Sequence, residues 1–402
     1  MQTQLADFIK HSQAGQEAET ILRSCVHCGF CNATCPTYQL LGDELDGPRG
    51  RIYLIKQLLE GETATEKTQL HLDRCLTCRA CETTCPSGVQ YGRLLDIGRD
   101  LLETRVGRSW RQALLRRLLL IGLPYPRRFA RLAAIGAWLR PILPPRLRAK
   151  LPPRQATESW PASRHRRRML ILQGCVQPTL APRINAATAR VLDKLGISLE
   201  PIANCCGALP YHLNAQADGL EMMRRVIDAC WPQLENGIEA IVSTVSGCGV
   251  TVKDYGLLLK HDPLYAEKAA RISALCKDIG EVLQAEDLSA LQTVPRKIAF
   301  HSPCTLQHGQ GLNGVVENLL TGLGFSLTTV ADAYSCCGSA GTYSILQPEL
   351  AGRLQAAKIA ALQAEQPELI ATANIGCWLQ LQEKADVPVL HWIELLLPQS
   401  TH

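Results

Sequence analysis

The run Cys25-Val26-His27-Cys28-Gly29-Phe30-Cys31-Asn32-Ala33-Thr34-Cys35-Pro36 returns fifty residues later as Cys75-Leu76-Thr77-Cys78-Arg79-Ala80-Cys81-Glu82-Thr83-Thr84-Cys85-Pro86. Both copies spell C-x2-C-x2-C-x3-C-P. The first three cysteines wrap a tight loop whose thiolates point inward at three irons of one 4Fe-4S cube, while the x3 gap and the proline turn the fourth cysteine away to complete the other cube. The expected ligand sets are therefore crossed: Cys25, Cys28, Cys31 and Cys85 for cluster 1, and Cys75, Cys78, Cys81 and Cys35 for cluster 2. Zinc is the competing occupant of a four-cysteine set, but zinc sites come as two separated C-x2-C pairs and not as four cysteines in one run.

Between the runs, Pro48 opens a helix in the stretch Asp43 to Gly61, with Ile52, Ile55, Leu58 and Leu59 at helical spacing toward a core. Arg49, Arg51 and Arg74 are read as a solvated face, with compensation of cluster charge as the alternative. His27 sits inside the first loop, where it is placed to tune its cluster. This part of the chain is expected to be a helical two-cluster domain of the bacterial ferredoxin type.

Composition agrees with metal binding. The 402 residues hold 18 cysteines against 20 aromatic residues, a ratio suggestive of a disulfide scaffold. The length, the clustering of the cysteines in C-x2-C groups and a start, MQTQLADFIKHSQ, without signal-peptide character argue instead for a reduced, cytoplasmic protein. No apolar run approaches the ~18 residues that would span a bilayer, the best being Leu118 to Leu123, flanked by arginines.

A second, fainter repeat follows. Cys175, Cys205-Cys206-Gly207 and Cys248 are echoed by Cys304, Cys336-Cys337-Gly338 and Cys377. Each copy starts on an apolar strand (Met169 to Leu172; Ile298 to Phe300), continues through a helix (Arg183 to Leu195; Val315 to Leu323) and reaches another strand before the CCG. A further strand (Ala240 to Thr244; Leu369 to Thr372) precedes the last cysteine. This alternation predicts two α/β lobes of parallel strands, with cysteines at strand C-terminal ends. Four sulfurs per lobe offer a possible additional metal or cluster site, a structural zinc or a merely buried set being the alternative. Cys230 and Cys276 have no repeat partner, fall in helical surroundings and are read as core thiols. His212, His301 and His308 flank lobe cysteines and are read as satisfied core residues ahead of an acceptor site. Gly309-x-Gly311-x-x-Gly314 with Asp332 imitates a dinucleotide fingerprint. It does not follow its strand directly, and its first-lobe equivalents are Leu180, Pro182 and Asn185, so neither NAD nor flavin is expected in this chain.

From Arg105 to Arg168 there are 16 Arg, one Lys and one acid, Glu158, which puts +16 there and leaves −11 of the net +5 elsewhere. Two basic amphipathic helices and a proline-rich linker, Pro141 to Pro153, fit this stretch. Peripheral contact with an anionic membrane, or docking to a partner, is expected ahead of nucleic acid, for which no binding module is present. The expected fold is multidomain α+α/β: residues 1–104 a helical ferredoxin-like domain, 105–165 basic helices and linker, 166–292 the first CCG lobe and 293–402 the second.

The two cysteine runs, GPRGRIYLIKQLLEG, CCGALPYH, and the second CCG followed by NIGCWLQLQ together resemble the iron-sulfur subunits of bacterial glycolate oxidase over essentially the whole chain. The chain is similar, more distantly, to iron-sulfur subunits of anaerobic glycerol-3-phosphate dehydrogenase and to heterodisulfide reductase subunits. The resemblance implies an electron-transfer subunit of a membrane-associated complex. FAD-binding subunits would oxidise glycolate to glyoxylate, and also lactate. The electrons would pass through two 4Fe-4S clusters to a membrane acceptor, with quinone expected, on the cytoplasmic side of the inner membrane. Heterodisulfide reductase lobes end in C-x2-C, whereas Val245 and Asn374 stand where the first of those cysteines would be. That departure argues against a noncubane cluster in either lobe and against the alternative function, cleavage of a substrate disulfide by the lobe thiols.

Overall fold

The computed structural model describes residues 1–142 and 159–398. The chain forms two compact units, one of Met1–Leu115 with Tyr334–Lys358 and the other of Arg116–Ala333 with Ile359–His402.

The first unit is helical. The helix Gln13–Ser24 leads into the first cysteine run and is capped by Ser12, whose Oγ accepts the Gly15 N–H at 3.0 Å. Pro48 occupies the first turn of the helix Pro48–Leu59, where its missing N–H costs nothing. Its Ile52, Ile55, Leu58 and Leu59 are buried as expected, in a core with Leu22 from the first helix and Leu94, Leu95 and Leu102 from the helix Tyr91–Arg105. The last two of these helices cross closely because position 98 is glycine: a Cβ there would lie 2.7 Å from Ile55 Cγ1. The segment 334–358 joins this unit by side-chain bonds to backbone carbonyls, Tyr343 OH donating to Arg74 O at 3.1 Å and Arg353 donating to Leu40 O at 2.8 Å. The unit is thus discontinuous in sequence.

The second unit holds two four-stranded sheets. In the first, β1 (Arg167–Leu172), β2 (Ile197–Ile202), β3 (Ile241–Ser243) and β4 (Cys276–Asp278) lie in the order β2-β1-β3-β4. In the second, β5 (Lys297–His301), β6 (Ser326–Leu327), β7 (Leu369–Thr372) and β8 (Val389–His391) repeat it as β6-β5-β7-β8. Every pairing is parallel. Parallel sheets are covered on both faces, which is why β1 reads as the unbroken apolar run Met169 to Leu172. The helices between strands, Pro182–Lys194 and Val315–Gly322, match expectation within a residue. The fourth strands were not anticipated, and Cys276, expected in helical surroundings, opens β4. Both it and Cys230 are buried, and burial pushes their thiols up to about 12.

The glycine-rich motif does not sit on a strand-to-helix turn. β5 ends at His301, a π-helical turn fills Thr305–Gly309, and the next helix starts only at Val315. The basic stretch forms the helices Trp110–Gly122 and Pro126–Leu139. Beyond Ile142 the expected proline-rich linker lies outside the described residues.

Candidate metal centre

Each cysteine run begins with the same backbone device. His27 (φ 58°) and Gly29 (φ 86°) in the first copy, and Thr77 (φ 54°) and Arg79 (φ 60°) in the second, take the left-handed conformation on either side of the second cysteine. Three of these four carry a Cβ, so each costs on the order of 1 kcal/mol and persists only where the surroundings demand the turn. A short helix then holds the third cysteine, Cys31 in Phe30–Ala33 and Cys81 in Ala80–Thr84. The fourth cysteine lies just beyond: Cys35 N–H bonds to Asn32 O and Cys85 N–H to Glu82 O, and Pro36 starts a new helix.

The two copies meet at Thr34 and Thr84, whose hydroxyls are 3.1 Å apart. Around that contact lie two cavities. Cys25, Cys28, Cys31 and Cys85 line one, together with His27 and Tyr91; Cys35, Cys75, Cys78 and Cys81 line the other, with Cys81 also touching the first. Among the described residues, no three of these eight sulfurs lie within 4.8 Å of one another. A single tetrahedral zinc would need its sulfurs about 3.8 Å apart. The donor set fits a larger, thiolate-ligated group. Burial pushes Cys31 up to about 11 and Cys81 well above its ordinary value, so these thiols keep their protons until a cation takes the proton's place.

The two cavities differ in polarity. At the first, Cys28 is exposed between Val26 and Phe30, which are 69% and 63% exposed. Burial and the nearby Arg49 hold His27 below its usual range. At the second, the solvated-face reading fails for Arg51, which is 1% exposed. Its guanidinium lies 4.0 Å from Cys35 Sγ and 3.1 Å from Thr37 Oγ1, and pairs with the fully buried Asp46 at 3.4 Å. Burial opposes its charge, yet Cys75, Tyr91, Cys35 and Asp46 together hold it above the ordinary arginine value. Tyr91 OH donates to Cys75 Sγ at 3.5 Å. Arg74 bonds to the other Asp46 oxygen at 2.8 Å, and Arg49 pairs with Glu44. A signal for Arg51 was available: it stands on the same helical stripe as Ile55 and Leu58, at i, i+4 and i+7.

In the first lobe Cys175 follows β1, Cys205 and Cys206 follow β2, and Cys248 follows β3. With this strand order the β1/β3 boundary is the switch point where such folds place ligands. Hydrogen bonds link Cys175 to Cys205, Cys205 to Cys206 and Cys206 to Cys248. Those from Cys175 and Cys206 pull the Cys205 thiol well down while Cys175 and Cys206 are pushed up. The glycine of each CCG is obligatory. Gly207 (φ 82°) and Gly338 (φ 84°) are left-handed, and a Cβ would fall 2.5 Å from Gly219 O and 2.6 Å from Ala351 O. In the second lobe Cys304 and Cys377 belong to the second unit, while Cys336 and Cys337 belong to the first. Asn374 caps its helix by accepting the Gly376 N–H at 3.3 Å. Of the three histidines expected in the core, His301 is buried, His308 is half-buried and His212 is exposed. None of the 18 cysteines is in a disulfide.

Residues 21–89 match the 4Fe-4S dicluster domain family, and residues 169–253 and 298–382 each match the cysteine-rich domain family. The glycolate oxidase iron-sulfur subunit of Escherichia coli (strain K12) is 57% identical over 98% of both chains. The chain belongs to the family of glycolate oxidase iron-sulfur subunits. The probable glycolate oxidase iron-sulfur subunit of Bacillus subtilis (strain 168) is 32% identical, covering 95% of this chain and 94% of its own. Lactate utilization protein A of Bacillus licheniformis is 26% identical over 55% of this chain and 95% of its own. Membership of the glycolate oxidase iron-sulfur family makes this chain part of an oxidoreductase complex and supports an electron-transfer role.

Proposed function

We propose that the eight repeat cysteines hold two 4Fe-4S clusters in crossed sets, Cys25, Cys28, Cys31 and Cys85 for one and Cys75, Cys78, Cys81 and Cys35 for the other. The chain then relays electrons from a partner subunit bearing FAD, which oxidises glycolate to glyoxylate and also accepts lactate, to a quinone at the membrane surface. The observation that supports this reading is the lining of the two cavities: each has all of the first three cysteines of one run together with the fourth of the other, Cys81 reaching both.

A bound 4Fe-4S cluster supplies a site that takes and returns one electron at a time. The chain's own residues set the conditions for that. Cys25, Cys35 and Cys81 are buried and keep water from one side of each site. Arg51 and Tyr91 place a positive charge and a hydroxyl donor against the sulfurs of the second cavity, which favours added negative charge there. The exposed lip of Cys28, Val26 and Phe30 gives the first cavity an approach from outside. No group of the chain is asked to abstract a proton or carry a hydride.

Anaerobic purification with metal analysis and EPR tests the cofactor assignment: about eight irons per chain with cubane signals are expected. A colourless protein that carries zinc overturns it. Co-purification of a flavoprotein, followed by assay of glycolate, lactate and glycerol 3-phosphate with a quinone acceptor, tests the relay. Preferred turnover of glycerol 3-phosphate, or reduction of a disulfide substrate by the chain alone, would replace it.

A further inference from the structure

Of eighteen large apolar side chains exposed among the described residues, nine fall within residues 110–142. The same stretch carries seven arginines and no acidic residue. Its helices, Trp110–Gly122 and Pro126–Leu139, approach at Gly122, where a Cβ would stand 3.1 Å from Leu132 Cδ1. The second helix packs against Gln177–Leu180, and its Phe129, Ala133 and Gly136, one turn apart, are half-buried. A second apolar line on that helix, Leu132, Ile135 and Trp138, is left in solvent, Trp138 being 79% exposed. Leu114, Leu118 and Ile121 repeat the pattern on the first helix at i, i+4 and i+7.

A surface helix ordinarily spends its apolar stripe on the core and turns charge outward. This pair keeps an apolar line outside, interleaved on the second helix with Arg128 and Arg131 and bordered by Arg117 and Arg127, all exposed. The surface selects an occupant that offers apolar contact and negative charge side by side, since long arginine side chains can lay their stems on the apolar line and carry their heads away from it. Nucleic acid supplies the phosphates without the apolar interior. An anionic bilayer supplies both along any line, acyl chains for leucine, isoleucine and tryptophan and phosphates for the guanidinium groups. Among the described residues no helix is long and apolar enough to cross a membrane, so the contact lies in the surface plane. We infer that the helical pair 110–142 is the element that seats this chain on an anionic bilayer, through Leu118, Ile121, Leu132, Ile135 and Trp138 below and the arginines at headgroup level. The inference deepens the reading that a membrane acceptor is served, and rests on it for its purpose.

The test is flotation of the iron-loaded full chain with vesicles of phosphatidylcholine alone or with about one-third phosphatidylglycerol. Binding only to the anionic vesicles is expected. Arg117→Glu, Arg127→Glu, Arg128→Glu and Arg131→Glu together should weaken it at least ~100-fold, as should Leu132→Ser, Ile135→Ser and Trp138→Ser with every charge kept. All these side chains are exposed, and unchanged iron content and EPR spectra verify the fold of each variant. Failure of the parent protein to float, equal binding to neutral vesicles, or full binding by either variant overturns the inference. So does a result in which the variants lose only a protein partner. Quinone reduction by the complex in detergent reads the relay separately, so loss of one leaves the other standing.

Discussion

Thr34 and Thr84, equivalent positions of the fifty-residue repeat, share a hydrogen bond at 3.1 Å. A contact between equivalent residues is what an approximate twofold relating the two cysteine runs would produce. An exchange of that kind sends the fourth cysteine of each run to the three of the other. Cys35→Ser is therefore expected to empty the site of Cys75, Cys78 and Cys81, and Cys85→Ser the site of Cys25, Cys28 and Cys31. Iron should fall from about eight to about four per chain in each, with complementary EPR spectra. Identical residual spectra from the two variants would sink the crossed assignment.

Arg51 carries a second prediction. A buried positive charge beside Cys35 stabilises the reduced site, so Arg51→Met should move one of the two midpoint potentials to more negative values and leave the other in place. Arg51→Lys, which keeps the charge, should move it less. Removing the guanidinium also leaves Asp46 short of a partner, at a cost of roughly 3 kcal/mol in stability. An EPR-monitored redox titration decides the matter: two unshifted couples in Arg51→Met would remove Arg51 from any electronic role.

The uncovered lip of the first cavity should be where reducing equivalents enter. Phe30→Glu is expected to slow glycolate-driven reduction in the assembled complex at least ~10-fold, a loss of about 1.4 kcal/mol at the donor contact. Reduction by dithionite and iron content should not change. Equal loss with both reductants would mean the variant damages the site itself.

Asp278 and His391 end the fourth strands of the two sheets, and each caps the following helix in a box with a glutamate three residues on. Burial pushes Asp278 up to about 7 and pulls His391 down to about 4. His391 Nε2–H donates to Thr244 O at 2.9 Å while Nδ1 accepts the Ile393 N–H at 3.3 Å, so the site holds the neutral ring. For His391 the lowered value means that stability present above about pH 6.5 is lost as the pH falls toward 4. For Asp278 the raised value means the reverse: stability present at low pH is lost as the pH rises toward 7. The two slopes oppose each other in the parent chain. Relative to the parent, Asp278→Asn should lose on the order of 3 kcal/mol between about pH 7 and about pH 4, and His391→Gln should gain over the same interval. Unfolding curves that keep a constant offset from the parent across that range would refute both assignments.

The sequence was most legible where chemistry imposes spacing. The eight cysteines, the helix from Pro48 and the apolar strands β1, β5 and β7 follow from loop length and period alone. Strands β4 and β8, three residues each, are too short to leave a period, and Cys276 was placed in a helix for that reason. Arg51 was assigned to solvent by its type, although its helical phase with Ile55 and Leu58 pointed inward; the buried carboxylate of Asp46 reverses the usual cost. The place of residues 334–358 was not readable, because Tyr343 and Arg353 attach to backbone oxygens, which carry no residue code.

That attachment has a consequence for biogenesis. The last contributor to the first unit leaves the ribosome some 270 residues after Cys85, roughly 15 to 55 s later at ordinary elongation rates. Through that interval the eight thiols stand without the segment that covers Arg74, next to Cys75. Delivery of iron and sulfide to the nascent chain therefore has an open window that closes when Tyr343 docks, and a polypeptide cut after residue 115 would never close it.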